Sequence, residues 1–294
     1  MVQIGWVQQL WRFPVKSMAG EVSPRVELTS DGVYGDRAYA LLDVQTGRVA
    51  SAKDVRHFPG LLRCRASFIA PPMLGKELPP VSITLPDGSE VHSDDANANG
   101  QLSEAMGREV CLVRQAPTDY TVEQHHPDLA AVDGLGGSLK TVATKLGSAL
   151  FAQLGVPSPV APGRLVDAFP LSLLSLSMLE RLEQLQPEST FERERFRMNV
   201  VIEPVETGDV EASWIGRGLS LGPVARVQIH IPAPRCVMVT RRQPNVAEDL
   251  NVLRALARHN RVPVPTLGML PCCGLYGTVM AHGTLRVGDV ISLN

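Results

Sequence analysis

The sequence predicts a mainly β fold of the α+β kind: two β-rich units, the first resembling a small β-barrel and the second a β-barrel with flanking helices. Three observations predict it. Short apolar runs recur at close spacing through the first third of the chain. Turn signals, among them Gln45-Thr46-Gly47 and Pro86-Asp87-Gly88, separate those runs. Twenty-three prolines and 25 glycines stand against few amphipathic helical stretches, a balance that favours many short strands over long helices.

Val2–Phe13 alternates loosely and reads as the opening strand, followed by Val22–Leu28. Arg37–Asp43 and a strand after Arg48 form a hairpin across Gln45-Thr46-Gly47. Arg63–Ile69 and Val81–Leu85 follow, and Pro86-Asp87-Gly88 returns the chain into Glu90-Val91. Asp94 to Met106 has helical spacing with Asp94 or Asp95 as its cap, and Val110–Arg114 returns to strand. The first unit thus spans 1–115.

From 116 to 163 the pattern loosens around His125-His126-Pro127, Gly134, Gly136-Gly137 and Pro157-Ser158-Pro159, so this reads as a connecting segment with a short helix from Leu139 to Leu154. The second unit, 164–294, opens with a helical pattern over Leu173–Leu185, for which Ser175 or Ser177 is the cap. Met198–Ile202, Leu219–Leu221 and Val224–Ile231 read as strands and Glu248–His259 as a helix. A meander of Thr278–Ala281, Thr284–Val287 and Val290–Leu293, turning at His282-Gly283, closes the chain.

Bulk properties exclude several classes. A net charge of −2 gives no footprint for nucleic acid or an anionic membrane surface. No apolar run is long enough to span a bilayer, and the N-terminus enters a strand pattern rather than a signal sequence. An odd count of five cysteines does not read as a disulfide framework, so a cytoplasmic, reducing location is expected.

The chemistry is expected at Cys236, which follows Arg235 directly after the apolar run Val224–Ile231. Thiolates, not thiols, attack electrophiles and ligate metals, and a cationic neighbour favours the thiolate. Basic residues recur elsewhere: Lys16-Ser17 after the opening strand, Arg37 after Gly35-Asp36, and Arg193, Arg195, Arg197 and Asn199 at alternate positions. If that last stretch is extended, its arginines share one face without carboxylates and invite an anion. Ordinary solvated strand-end charges are the alternative. Cys272-Cys273, Cys64 and Cys111 read as buried apolar residues, and His125-His126 lacks further ligands at zinc spacing. No Gly-x-Gly-x-x-Gly fingerprint follows a strand.

Phe13-Pro14-Val15-Lys16-Ser17 with Leu28–Arg37 resembles the N-terminal β-barrel domain of MOSC proteins. Asp167-Ala168-Phe169-Pro170, Phe196-Arg197-Met198-Asn199, Arg235-Cys236 and Gly283–Asp289 resemble the MOSC domain itself. The likeness is to the group that includes the mitochondrial amidoxime-reducing component and its bacterial relatives. It implies a molybdenum cofactor, molybdopterin, with Cys236 as the protein ligand to the metal. Lys16, Ser17 and Arg37 match positions that grip the cofactor's phosphate and pterin. Arg197, Asn199 and Arg235 match others that line the same cleft, and Ser175 and Arg195 are further candidates.

The chain departs from the family pattern at Met198, where a proline is usual, and at Val237–Pro244, where an aspartate is missing and Arg241 and Arg242 appear. The implied activity is reduction of N-hydroxylated compounds: amidoximes, N-hydroxylated bases or hydroxylamines. With no cysteine quartet after the second unit, a separate electron-donor protein is expected. A cofactor carrier or sulfur-handling module without reductase activity is the alternative. A thiol redox protein pairing Cys236 with Cys272 or Cys273 is the third reading.

Overall fold

The centre of the molecule is a closed ring of seven strands, and it takes in the first residues of the chain. In order these are Leu171–Ser175, Val200–Pro204, Val2–Arg12, Val290–Leu293, Gly218–Leu221, Ala225–Pro234 and Gly268–Ala281, which pairs back to Leu171–Ser175. The computed structural model describes residues 2–54, 56–126 and 140–294. Leu10, Leu173, Val200, Ile202, Leu219, Leu221, Ile229 and Ile291 fill the barrel interior. Burying each such side chain contributes about 1.5–3 kcal/mol. Leu171–Ser175 and Val200–Pro204 run parallel, which demands a crossover, and the helix Leu176–Leu185 supplies it.

The opening strand is where structure and sequence reading differ most. It reads as part of a leading unit ending at 115, yet Val2–Arg12 is a stave of the barrel, paired to Val200–Pro204 and Val290–Leu293. Arg25–Thr29 is also stitched to this side, against Gly283–Arg286. Alternation shows that a strand is half-buried but does not name its partner.

The rest of the first third forms two three-stranded sheets. Ala40–Asp43 lies between Val110–Val113 and Arg48–Val49, and Val81–Thr84 lies between Arg65–Phe68 and Glu90–His92. Both sheets and the helix Ala98–Met106 enclose one core that includes Val15, Met18, Leu41, Ile83, Leu102 and Val110. That helix starts later than Asp94 because Asp95 is spent on the turn before it. The Asp95 side chain accepts from the Asn97 N–H at 3.2 Å and its carbonyl from the Ala98 N–H at 3.0 Å.

The described part of the connecting segment carries strand where the sequence suggests only a loop and a short helix. Thr121–His126 and Lys140–Lys145 form an antiparallel hairpin, and the helix covers only Gly147–Leu154. β-Branched Val142 and Thr144 hold this part of the expected helix in strand. The side chains of His125 and His126 and the turn signals Pro127, Gly134 and Gly136-Gly137 lie outside the described residues. Among the described residues no helix is long and apolar enough to cross a membrane.

Candidate functional site

A cleft of about 450 Å³ lies where the barrel meets the first unit. Lys16, Ser17, Arg37, Arg195, Arg197, Asn199, Arg235 and Cys236 all line it, although they are spread across the chain. The opening strand explains half of this convergence. Once Val2–Arg12 is a stave, the loop after it must deliver Lys16 and Ser17 to the barrel mouth. The loop bearing Arg37 locks onto it: the Arg37 N–H donates to the Phe13 carbonyl at 2.8 Å, and Asp36 accepts from the Phe13 N–H at 2.7 Å.

Among the described residues, four non-glycine residues have positive φ: Ser17 at 65°, Arg37 at 46°, Arg197 at 54° and Thr266 at 65°. Three of them line this cleft. A left-handed backbone costs an L-residue on the order of 1–2 kcal/mol, and such strain concentrates where function demands an orientation. The guanidinium carbons of Arg37 and Arg197 each lie 4.5 Å from the centre of the Phe13 ring. Burial first, then the Arg37 charge, pull Arg197 down to about 9. A guanidinium stays protonated at neutral pH, so Arg37 and Arg197 stand here as two neighbouring positive charges that an anion would relieve.

A second pair of cations meets on Asp167. Lys53 Nζ lies 2.6 Å from one carboxylate oxygen, and Lys16 Nζ bonds the other while donating to the Leu165 carbonyl at 3.1 Å. Burial, and then the charges of Lys53 and Arg37, lower Lys16 to about 8 against the pull of Asp167. Lys53 is buried too, yet Asp167 and Cys236 raise it above the ordinary lysine value. Asp167 is held well below the usual carboxylate range by the two ammonium groups, despite its own burial. Neither Lys53 nor Asp167 was singled out as a site residue in sequence. Asp167 stood in the Asp-x-x-Pro motif, but Lys53 follows Ser51-Ala52 with no local signal.

Cys236 is half-buried and precedes the 3₁₀ turn Val237–Thr240 with extended backbone. Among the described residues its Sγ has no hydrogen-bond partner and faces the cationic cleft. Arg235 is fully engaged in holding that position. It donates to the Phe196 carbonyl at 2.9 Å, the Cys273 carbonyl at 2.6 Å and the Met198 sulfur at 2.7 Å. The methionine that replaces the family's proline is thus a partner for Arg235. Opposite, Phe169 stacks on Tyr276 with ring centres 5.7 Å apart and gives the cleft an aromatic wall.

One sequence expectation needs correction, and two further site candidates have structural partners. Arg193–Phe196 is a 3₁₀ turn, so the arginines diverge instead of sharing a face. Arg195 is buried and saturated by Glu192 and the carbonyls of Thr190, Val239 and Ala247, which makes it an anchor for the loop after Cys236. Ser175 does not line the cleft. It caps the helix Leu176–Leu185 by accepting from the Met178 N–H at 3.2 Å, and the strand before it turns Ser172 toward the cleft instead. Ser172 bonds Asn199 at 2.8 Å, so Asn199 is spent on tying two staves together.

Cys272 and Cys273 are buried; burial pushes the Cys272 thiol up to about 12 and Cys273 well above its usual value. Both are neutral thiols at neutral pH and poor nucleophiles.

Two family models match the chain: the MOSC N-terminal beta barrel domain over residues 4–100 and the MOSC domain over residues 162–292. The chain is a MOSC-domain protein with a MOSC N-terminal barrel. No curated protein matches it in sequence. Among solved structures it is similar to YiiM from Geobacillus stearothermophilus at 16% identity and a TM-score of 0.28, over 43% of this chain and 54% of that one. It is similar to the YUAD protein from Bacillus subtilis at 11% identity and a TM-score of 0.41, over 98% of this chain and 94% of that one. The chain thus spans about half of the YiiM chain. Likenesses at this level carry no functional inference.

Proposed function

We propose that this MOSC-domain protein is a molybdenum-cofactor oxidoreductase that reduces N-hydroxylated compounds with electrons from a separate donor protein, in the cytoplasm. The observation that carries this reading is the meeting of an unpartnered, half-buried Cys236 with the cations of Lys16, Arg37, Lys53 and Arg197 in one strained cleft. A soft thiolate suits molybdenum, and fixed guanidinium and ammonium groups suit a phosphate-bearing pterin. The residues present therefore fit the group.

Cys236 Sγ would ligate the metal. Arg37, Arg197 and the Ser17 hydroxyl would hold the anionic part, with Lys16 and Lys53 adding charge. Bound there, the cofactor supplies the two-electron redox step. The overall change takes two electrons and two protons, cleaves the N–O bond and releases water and the reduced nitrogen compound. Lys16 Nζ, lowered to about 8, can give up a proton near neutral pH. Phe169 and Tyr276 offer the apolar part of a substrate a face to rest on.

The test is the molybdenum content per chain, by elemental mass spectrometry, of protein from a cofactor-competent host. One metal per chain in the native protein and none in Cys236→Ala, followed by reduction of an amidoxime with a reduced dye, is the expected result. A metal-free protein from a host that loads another molybdoenzyme would reject the reading. Stoichiometric metal without turnover would point to a cofactor carrier instead.

A further inference from the structure

The loop after Cys236 has two sides. Met238 and Val239 face the cleft just described, while Arg242, Gln243 and Ala247 face a separate cleft of about 560 Å³. Its far wall comes from the first unit, at Arg63, Arg65 and the turn Pro86–Gly88. Three guanidinium groups therefore converge on one hollow from two parts of the fold. Among the described residues, no aspartate or glutamate lines it.

Arg65 is fixed by donating to the Gly20 carbonyl at 3.1 Å. Arg63 and Arg242 make no ion pair or side-chain hydrogen bond with any described residue. The nearby carboxylate of Asp87 is exposed and bonded to the Ser89 hydroxyl at 2.7 Å. Gln243 adds an independent sign. It is only 4% exposed, and its Nε2 has no hydrogen-bond partner among the described residues. The turn that carries it is closed, with Gln243 and Val246 exchanging backbone bonds of 3.0 and 3.2 Å.

We infer that this hollow is a second anion site, taking a small phosphate-bearing ligand distinct from whatever occupies the Cys236 cleft. The volume is that of a small-molecule site. Guanidinium groups with no competing carboxylate are the usual means of holding phosphate oxygens. The charge is gathered in a concave cleft instead of being spread along a face, and the chain's net charge is −2, which fits a small anion better than a nucleic acid. Position gives the site a consequence. Arg195 donates to the carbonyls of both Val239, on the catalytic side, and Ala247, on this side. An occupant of the second cleft therefore bears on the loop that holds Cys236. The inference does not depend on the molybdenum assignment.

The test is calorimetric titration of the full chain with inorganic pyrophosphate at low salt, beside the double variant Arg63→Gln/Arg242→Gln and the single variant Arg37→Gln. Both arginines of the double variant are exposed and unpaired, so the fold is expected to persist, checked by an unchanged thermal midpoint. The expected result is two binding events in the native chain. The double variant weakens one at least tenfold and leaves the other; Arg37→Gln does the converse. Amide chemical shifts at Arg242–Val246 move with the first event only. One event, abolished by Arg37→Gln and untouched by the double variant, overturns the proposal. So does poly-glutamate binding that needs Arg63 and Arg242 where pyrophosphate does not bind, since that marks a docking face for an acidic protein.

Discussion

Glu211 is a buried carboxylate with no countercharge bonded to it, and its ionisation should be visible in the stability of the whole barrel. It lies in the 3₁₀ turn Glu211–Trp214 and is 4% exposed. Its two oxygens accept the Ser175 N–H at 2.7 Å and the Gly274 N–H at 2.9 Å, tying two staves together. Burial raises it from 4.5 to about 7; the two N–H groups and Arg235 pull the other way, and Asp209 adds to the rise. Between those pH values the folded chain holds a proton that the unfolded chain has lost, so stability falls as pH rises. The contribution is fully present below the unfolded value and lost as pH passes the folded one. Over the range from 4.5 to about 7 the loss is about 3 kcal/mol, at ~1.4 kcal/mol per pH unit. Glu211→Gln removes the titration but points an amide N–H₂ at one of the two N–H donors, a pH-independent cost of about 1–3 kcal/mol. Urea unfolding at pH 5 and pH 8 should therefore show the native chain ahead of the variant at pH 5, with the gap narrowed or reversed by about 3 kcal/mol at pH 8. An identical gap at both pH values would refute the argument. The Asp167 carboxylate, held low, loses its contribution only as pH falls below its unfolded value near 4, outside this window.

Further expectations follow from the same geometry. Gly274 has φ +82°, and an added Cβ would stand 2.5 Å from the Leu173 carbonyl oxygen and 2.4 Å from the Met198 methyl. Gly274→Ala should cost about 3 kcal/mol or more, while Gly47→Ala, at φ +64° with nothing within 4 Å, should cost only ~1 kcal/mol, both read from thermal midpoints. Asp167→Asn removes the carboxylate shared by Lys16 and Lys53, so at pH 6, where both lysines are charged, pyrophosphate should bind the Cys236 cleft several-fold more tightly. That gain should shrink in high salt, and an unchanged affinity would reject the charge argument.

How much of this was legible in the sequence depended on whether a residue's role was local. Most described strands and all four described α-helices were marked by periodicity and turn chemistry, and Ser175 was rightly a cap candidate because capping is decided within one turn. The strand Gly268–Ala281 was read only from Thr278 onward, since Pro271, Gly274 and Gly277 break the pattern. Those residues sit where the strand is bent and approached closely, a property of the barrel rather than of the segment. The arginines at alternate positions looked like a strand face, but three residues per turn and divergent partners were equally compatible with that spacing. Lys53 and Glu211 could not be found at all. Each acquires its meaning from a partner far along the chain, Asp167 for one and the Ser175 and Gly274 amides for the other.

The same non-local logic sets a condition on the site itself. Lys16 and Ser17 follow the opening stave, Arg37 is pinned to that loop through Phe13, and Arg197 donates through Nη1 to the Met18 carbonyl while accepting from Arg37 at 3.1 Å. Cys236 and Arg235 arrive from the opposite side of the ring. The residues matched by the second family model, 162–292, therefore contain the thiol and Arg197 but lack a barrel stave and the cations of Lys16, Arg37 and Lys53. A fragment with that range would leave the edges of Val200–Pro204 and Val290–Leu293 unpaired, and exposed strand edges associate. The thiol and the cations that surround it therefore come together only where Val2–Arg12 completes the wall of the barrel.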